Sequence, residues 1–234
     1  MLTNLINIVT YRSGTPSPPV TTSLATVLPV ALRVDGTPCL VVGASTSAAR
    51  RATDLVDLGA TVTLVHPAPT PALEALAAET GSLCLHRRSH QHGDAAGHRL
   101  VFAATTNAAI DARVAADGRA HHALVHVEDR PELCDFYLPA IHRSGPVAVA
   151  VTTSGASPAL ARWLRTRLGA LVGPEVGVVA TALAAARARL RGDGRSTEGL
   201  DWSTLLDDDL LGGGAPRSRE EVEKVVDAWV KAHT

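Results

Sequence analysis

Three short segments of this sequence combine residue types that can do chemistry. The first, VVGASTSA, places Gly43, Ser45 and Ala48 at the three positions of a G-x-G-x-x-G/A fingerprint, which leads from a strand into a helix and cradles a pyrophosphate at the helix N-terminus. Ser45 brings a Cβ and a hydroxyl where glycine would let a phosphate approach the backbone, while Ser45, Thr46 and Ser47 add hydroxyl donors for an anion. Taken alone, such a loop reads equally well as a tight strand-to-helix turn. The second segment is the acidic pair Glu128 and Asp129 ahead of Pro131, where a carboxylate serves as general base, metal ligand or turn former. The third runs from Thr152 to Pro158 into a helix, with Ser157 as a natural N-cap and Pro158 at the first helical position. Its hydroxyls and amides could hold a substrate carboxylate or simply cap the helix.

The remaining chemistry-bearing residues form no dedicated motif. Ten histidines include His90 and His92 in a polar stretch, expected to be solvated, and His126 on a strand near Asp129, the one histidine placed in a site. Three well-separated cysteines exclude a disulfide framework and offer no zinc or iron–sulfur spacing. A net charge of -1, from 22 basic and 23 acidic side chains, leaves no clustered positive field for nucleic acid. No apolar run approaches the roughly 20 residues that cross a bilayer, so no membrane association is expected. The N-terminus through Ser23 reads as a flexible cytoplasmic extension.

Periodicity supplies the elements that must position these segments. From Thr37, TPCLVVG, ATVTLVH, SLCLH, HRLVFAAT and HALVHV read as short apolar strands. SAARRATDLVDLG, PALEALAAETG and NAAIDARVAADG between them read as helices, the last capped by Asn107. GPVAVAVTT, from Gly145, reads as one more strand of a mostly parallel sheet covered on both faces. After Thr153 the pattern turns helical, ending in a helix whose stripe of Val222, Val225, Val226 and Trp229 must be buried against its own chain or a partner. The expected fold class is α/β: a Rossmann-like sheet followed by an α-helical region.

Read in order, the strings from LPVALRVDGTPCLVVGASTSAARR, through LVFAATTNAAIDARV, to VEDRPELCDFYLPAIHRSGPVAVAVTTSGASPALARWLRTRL resemble the precorrin-2 dehydrogenase and sirohydrochlorin ferrochelatase family of siroheme synthesis. The resemblance covers roughly Leu28 to Leu171, and its most specific part is DRPELCDFYLPAIHRSGPVAVAVTTSGASPALAR. It implies an extension (1–23), a Rossmann-like dinucleotide-binding domain (24–143), a small dimerisation and substrate-loop region (144–173) and a helical C-terminal domain (174–234), working as a cytoplasmic homodimer. NAD would take a hydride from precorrin-2 to give sirohydrochlorin, and in bifunctional members the same cleft inserts Fe2+ as a substrate. Asp129 matches the family's proton acceptor. Thr153, Ser154, Gly155 and Ser157 match the loop that faces the tetrapyrrole, with His126 beside it and, with Asp129, a transient ligand during chelation. Dinucleotide contacts fall on Gly43, Ala44, Ser45, Thr46, Ser47, Ala48, His66, Thr105 and Thr106.

This chain departs from the family at several of these positions. Ala44 and Ser45 replace glycines, Arg50 and Arg51 stand for an arginine–lysine pair, Thr106 replaces aspartate, Asp111 replaces asparagine, and His126 stands where asparagine is frequent. Two readings follow: a precorrin-2 dehydrogenase, or a diverged paralogue that binds a tetrapyrrole or metal in the same cleft without redox chemistry. An unrelated Rossmann reductase would lack the 129–162 string. Ser45→Gly is expected to tighten NAD binding in a fluorescence titration; weaker binding would mean that the serine contributes a contact.

Overall fold

The computed structural model describes residues 26–197, 200–212 and 218–233. The expected extension through Ser23, and Gly213 and Gly214 of the C-terminal glycine run, lie outside the described residues.

Five strands, β1 (Pro38–Val42), β2 (Thr61–Val65), β3 (Leu83–His86), β4 (Leu100–Ala103) and β5 (Leu124–Val127), form one parallel sheet in the order β3-β2-β1-β4-β5. Their side chains alternate between the two faces. Cys39 and Val41 of β1, with Val62 and Leu64, pack against Ala48, Ala52 and Leu55 of α1 (Thr46–Asp57) and Leu73 of α2 (Pro71–Glu79). Leu40 and Val42, with Val65 and Val101, face Val114 and Ala115 of α3 (Ala108–Ala120). Burial on both faces is why these strands read as continuous apolar runs. Capping follows the sequence: Thr70 accepts from the amide of Leu73, and Asn107 from those of Ala109 and Ile110.

The polar stretch between β3 and β4 carries no helix, and His90 within it is not solvated. Its side chain is 5% exposed and donates to Asp117 Oδ2 at 3.2 Å, whereas His92 is largely exposed, 3.1 Å from Asp117 Oδ1. Asp117, on α3 and almost fully buried, also accepts the amides of Gly93 at 2.8 Å and Ala95 at 3.0 Å. Charge patterning made the loop look like surface, because its one anchor lies 22 residues or more away along the chain. Burial alone would raise the Asp117 carboxyl, but the two amides and His90 outweigh it and hold it below the ordinary carboxylate range.

The strand from Gly145 does not join the parallel sheet. β7 (Val147–Val151) pairs antiparallel with β6 (Ala140–Ser144), which the sequence reading missed, in a separate two-stranded hairpin that turns at Gly145 with φ +53°. VAVAV looks uniformly apolar, yet its valines are half-buried and its alanines exposed, the period of a strand covered on one face. α4 (Pro158–Gly169) lies on that hairpin, and α5 (Pro174–Gly192) butts against its turn. Ser144 Oγ donates to the Gly173 carbonyl at 2.7 Å and accepts the Gly177 amide at 3.1 Å. A Cβ on Gly177 would stand 2.7 Å from the Ser144 carbonyl, so glycine is required for this joint. The short helix α6 (Trp202–Thr204) continues as a π turn (Leu205–Leu210), and α7 (Arg219–His233) buries Val222 and Val226 against Val179, Ala182 and Ala186 of α5. The C-terminal stripe is thus covered by its own chain. Among the described residues, no single helix is long and apolar enough to cross a membrane.

Asp117→Ala strands at least two buried amide donors, each costing about 1–3 kcal/mol, and is expected to lower urea stability accordingly. Because the folded carboxyl titrates below its unfolded value, its contribution is complete above about pH 4 and is lost as pH falls toward the folded value. The variant should therefore show a flatter acid limb of stability against pH.

Candidate functional site

In an open parallel sheet of this order, the crevice for ligands lies at the carboxyl ends of the strands where the chain order reverses, between β1 and β4. Gly43 follows β1 directly, with φ +130°, and a Cβ there would sit 2.2 Å from the Ala104 carbonyl oxygen. No other residue fits. Ser45 caps α1, its Oγ accepting the Ala48 amide at 3.1 Å. The hydroxyl treated in sequence as an obstacle is turned into the helix, while the amides of Thr46 and Ser47, in the first helical turn, are left for an anion. Ala48 is fully buried against the sheet, the close helix–strand packing that the third fingerprint position serves. Ala44 is partly buried against the same core.

Across the crevice, the turn after β4 is fixed by Asp111. Its Oδ1 accepts from the Thr105 amide at 3.1 Å and the Thr105 hydroxyl at 2.8 Å, and Thr106 is driven to φ +43°. After β5, Asp129 stands exposed at φ +54°. Four non-glycine described residues have positive φ, and three of them, Thr106, Asp129 and Ser154, are site residues named from sequence. Such conformations cost on the order of 1–3 kcal/mol and concentrate where a side chain must be aimed.

The DRPELCDF string has a plain structural purpose next to Asp129. Pro131–Leu133 makes a single 3-10 turn that sends the chain back along the open edge of β5. There Asp135 Oδ2 accepts the Val125 amide at 2.9 Å, and Cys134 Sγ accepts the Val127 amide at 3.3 Å. Arg119 clamps Asp135 Oδ1 from α3. Burial pushes the Cys134 thiol up, so it serves as a neutral edge cap. Phe136 then folds over His126, whose Nδ1–H donates to the Phe136 carbonyl at 3.2 Å. Burial is the main reason that His126 titrates below an ordinary histidine; Arg51 pushes the same way, while Glu128 and Asp129 oppose it.

The other expected residues are less closely gathered. His66 sits at the end of β2, its Nδ1 3.1 Å from the Ala68 amide and 2.8 Å from its carbonyl, folded on its own turn. Thr153 Oγ1 and Ser157 close their loop on themselves, Oγ1 donating to the Ser157 carbonyl and accepting its amide, each at 3.1 Å. Ser157 Oγ caps α4 by accepting the Leu160 amide, and Gly155 turns at φ +84°. That loop is preshaped, on the hairpin-and-α4 body. Among the described residues, no group of three or more metal-ligating side chains is brought together, so His126 and Asp129 gain no third ligand. Sequence reasoning missed Arg51, Phe102 and Phe136, which pack around His126: the Arg51 guanidinium lies 5.5 Å from the Phe102 ring centre, and His126 lies 6.1 Å from Phe102 and 5.6 Å from Phe136. The one available signal was an arginine at the i+3 position of the buried Ala48, Ala52 and Leu55 stripe.

A family model described as putative NAD(P)-binding matches residues 30–140, and one described as sirohaem biosynthesis protein central matches residues 144–171. Over these two stretches the chain is similar to proteins of sirohaem biosynthesis. The siroheme synthase of Methylococcus capsulatus is 42% identical over 164 residues, covering 70% of this chain and 34% of that protein. The siroheme synthase of Nitrosococcus oceani is 34% identical over 203 residues, covering 86% of this chain and 43% of that protein. The chain thus spans less than half the length of these curated relatives. The solved structure of SirC, precorrin-2 dehydrogenase, superposes with a TM-score of 0.68 at 20% identity over 86% of this chain and all of that one, which establishes the shared fold.

Asp111→Asn keeps an acceptor for Thr105 and is expected to leave dinucleotide affinity nearly unchanged. Asp111→Ala strands the Thr105 amide, costs about 1–3 kcal/mol, and should weaken dinucleotide binding in a fluorescence titration.

Proposed function

We propose that this chain oxidises precorrin-2 to sirohydrochlorin in siroheme synthesis, with NAD as hydride acceptor. The observation that carries this reading is the crevice itself: a glycine turn and helix N-terminus on one side, and on the other a carboxylate, Asp129, held in a left-handed turn at the end of β5. The free amides of Thr46 and Ser47, the α1 dipole and the Gly43 turn suit a pyrophosphate, and the Thr105–Thr106 turn borders the crevice beyond it. When bound, NAD supplies the two-electron acceptor, becoming NADH. Oxidation of precorrin-2 removes one hydride and one proton, and Asp129 is the acceptor for the proton. The preshaped Thr153–Ser157 loop presents its Ser154 turn and Gly155 to the carboxylates of the macrocycle.

Insertion of Fe2+ into sirohydrochlorin, releasing two protons as siroheme forms, is proposed as a second activity of the same crevice, with Asp129 again the base and His126 and Asp129 its transient ligands. The domain division at 24–143, 144–173 and 174–234 is kept as part of this proposal, except that its first boundary is moved ahead of Ala140, where the β6–β7 hairpin opens. A homodimer is supported by the exposed apolar side chains on that body, Trp163 at 55% and Leu171 at 77% exposure together with Ile141, Leu160 and Leu168. The proposed setting is the cytoplasm.

The test is titration with NAD, then anaerobic addition of precorrin-2 while following the sirohydrochlorin spectrum. Saturable NAD binding and spectral conversion are expected, and absence of both would favour the non-redox paralogue. Asp129→Asn keeps the shape and removes the base, so turnover should fall by about 10²–10⁴-fold with the melting temperature preserved; an unchanged rate would overturn the assignment.

A further inference from the structure

Arg51 occupies a place that packing alone would give to an apolar residue. The inward stripe of α1 is Ala48, Ala52 and Leu55, and residue 51 fills the remaining i+3 slot of that stripe. Arg50, its neighbour, points to solvent. The Arg51 side chain is only 19% exposed, and its guanidinium lies on the face of Phe102, the buried side chain one residue before the end of β4. Its ion pair among the described residues is a single 3.4 Å contact with Asp54, itself half-exposed. A guanidinium has five N–H donors, and one long contact and a ring face leave most of them unused. Burial lowers its pKa, while Glu128, at the end of β5, acts on it favourably. Arg51 also opposes protonation of His126, so the cation stands within electrostatic reach of the β5 end where Asp129 is placed.

Two departures from the resembled family therefore meet on one aromatic side chain. Arg51 where lysine is usual, His126 where asparagine is frequent, and Phe102 between them form one cluster beside the carboxyl ends of β4 and β5. Phe136 completes it, edge-on to Phe102 at 5.7 Å. A planar, half-satisfied guanidinium backed by an aromatic ring, on the acidic side of a cleft, matches a carboxylate that can be gripped by two parallel hydrogen bonds. The alternative anion, a dinucleotide phosphate, belongs at the first-turn amides of Thr46 and Ser47. Arg51 lies five residues further along α1, roughly 7.5 Å down the axis.

We propose that Arg51 is a specificity-determining residue that pairs with a peripheral carboxylate of the tetrapyrrole and so sets the macrocycle's position over Asp129. The proposal rests on the tetrapyrrole reading above. It explains why a cation is retained on a core-facing helical position, where its desolvation has no full internal compensation. It assigns Arg51 to binding and orientation, with no part in proton or hydride transfer.

The test uses the full chain with Arg51→Met, which keeps a flexible stem on Phe102 without charge, and Arg51→Lys, which keeps the charge without the fork. Sirohydrochlorin affinity is read by absorption titration, NAD affinity by fluorescence, KM and kcat with precorrin-2, and folding by thermal melting. Arg51→Met is expected to weaken sirohydrochlorin binding and raise KM by about tenfold or more, with kcat and NAD affinity little changed, and Arg51→Lys should recover part of the loss. Unchanged sirohydrochlorin affinity in Arg51→Met would overturn the proposal and leave Arg51 a packing residue. A loss confined to NAD affinity would overturn it in favour of a phosphate contact. If Arg51→Met fails to fold, Arg51→Lys decides: wild-type affinity for both ligands would overturn the proposed fork geometry. Wild-type protein that binds no sirohydrochlorin would overturn the tetrapyrrole reading itself, and this proposal with it.

Discussion

Gly43 passes the turn after β4 so closely that a single methyl group would collide with the Ala104 carbonyl, and the crevice exists because that collision is avoided. β1 is the middle strand of the sheet, hydrogen-bonded to β2 on one side and β4 on the other, with side chains buried on both faces. Its carboxyl end therefore cannot move aside. The chain must leave it through a left-handed residue, start α1 at once, and let α1 aim its first amides across the gap. Phe102 and Thr105 are then positioned by β4, whose register to β1 is fixed by the same pair of strands, and Asp111 of α3 holds the turn that follows.

Around that centre, satisfaction of backbone groups decides how the irregular segments run. The open edge of β5 is closed by Cys134 and Asp135, so the string that begins at Asp129 doubles as a mimic of a sixth strand. The crossover before β4 lacks a helix and is instead pinned to α3 by the buried carboxylate of Asp117. In both cases an acidic side chain reads as surface in sequence and proves to be a backbone acceptor in the fold. The acidic residue proposed for chemistry, Asp129, is the exposed one with an imposed left-handed backbone, and that contrast separates it from its structural neighbours.

The hairpin-and-helix body is joined to the rest by close backbone contact. Ser144 and Gly145 abut Gly177, and His142 donates to the Val172 carbonyl at 2.8 Å. Small residues at the joint exclude slack between the loop that holds Thr153 and the helices behind it. α5 and α7 then bury their own apolar stripe, with Trp202 and Trp229 tilted against each other at 5.1 Å between ring centres, while the outer side of α4 stays apolar and exposed.

Sequence by itself determined what depends on local order: the strands and helices from Thr37 to Val127, the caps at Ser157 and Asn107, the glycine turn, and the identity of the acidic-proline string. Hydrophobic period and capping chemistry act within one or two turns of chain, so they are legible one residue after another. Tertiary structure alone decided what depends on pairing across long separations. It turned VAVAV from one more expected strand of the parallel sheet into half of an antiparallel hairpin, because β6, with His142, Arg143 and Ser144 among its five residues, was too polar to be seen without its partner. It buried His90 against Asp117, 27 residues away, and it placed Arg51, Phe102, His126 and Phe136 side by side though they are spread over 86 positions of chain. No local pattern encodes such a cluster. Each member looks like an ordinary residue of its own element until the β1–β4–β5 register brings the three carboxyl ends level.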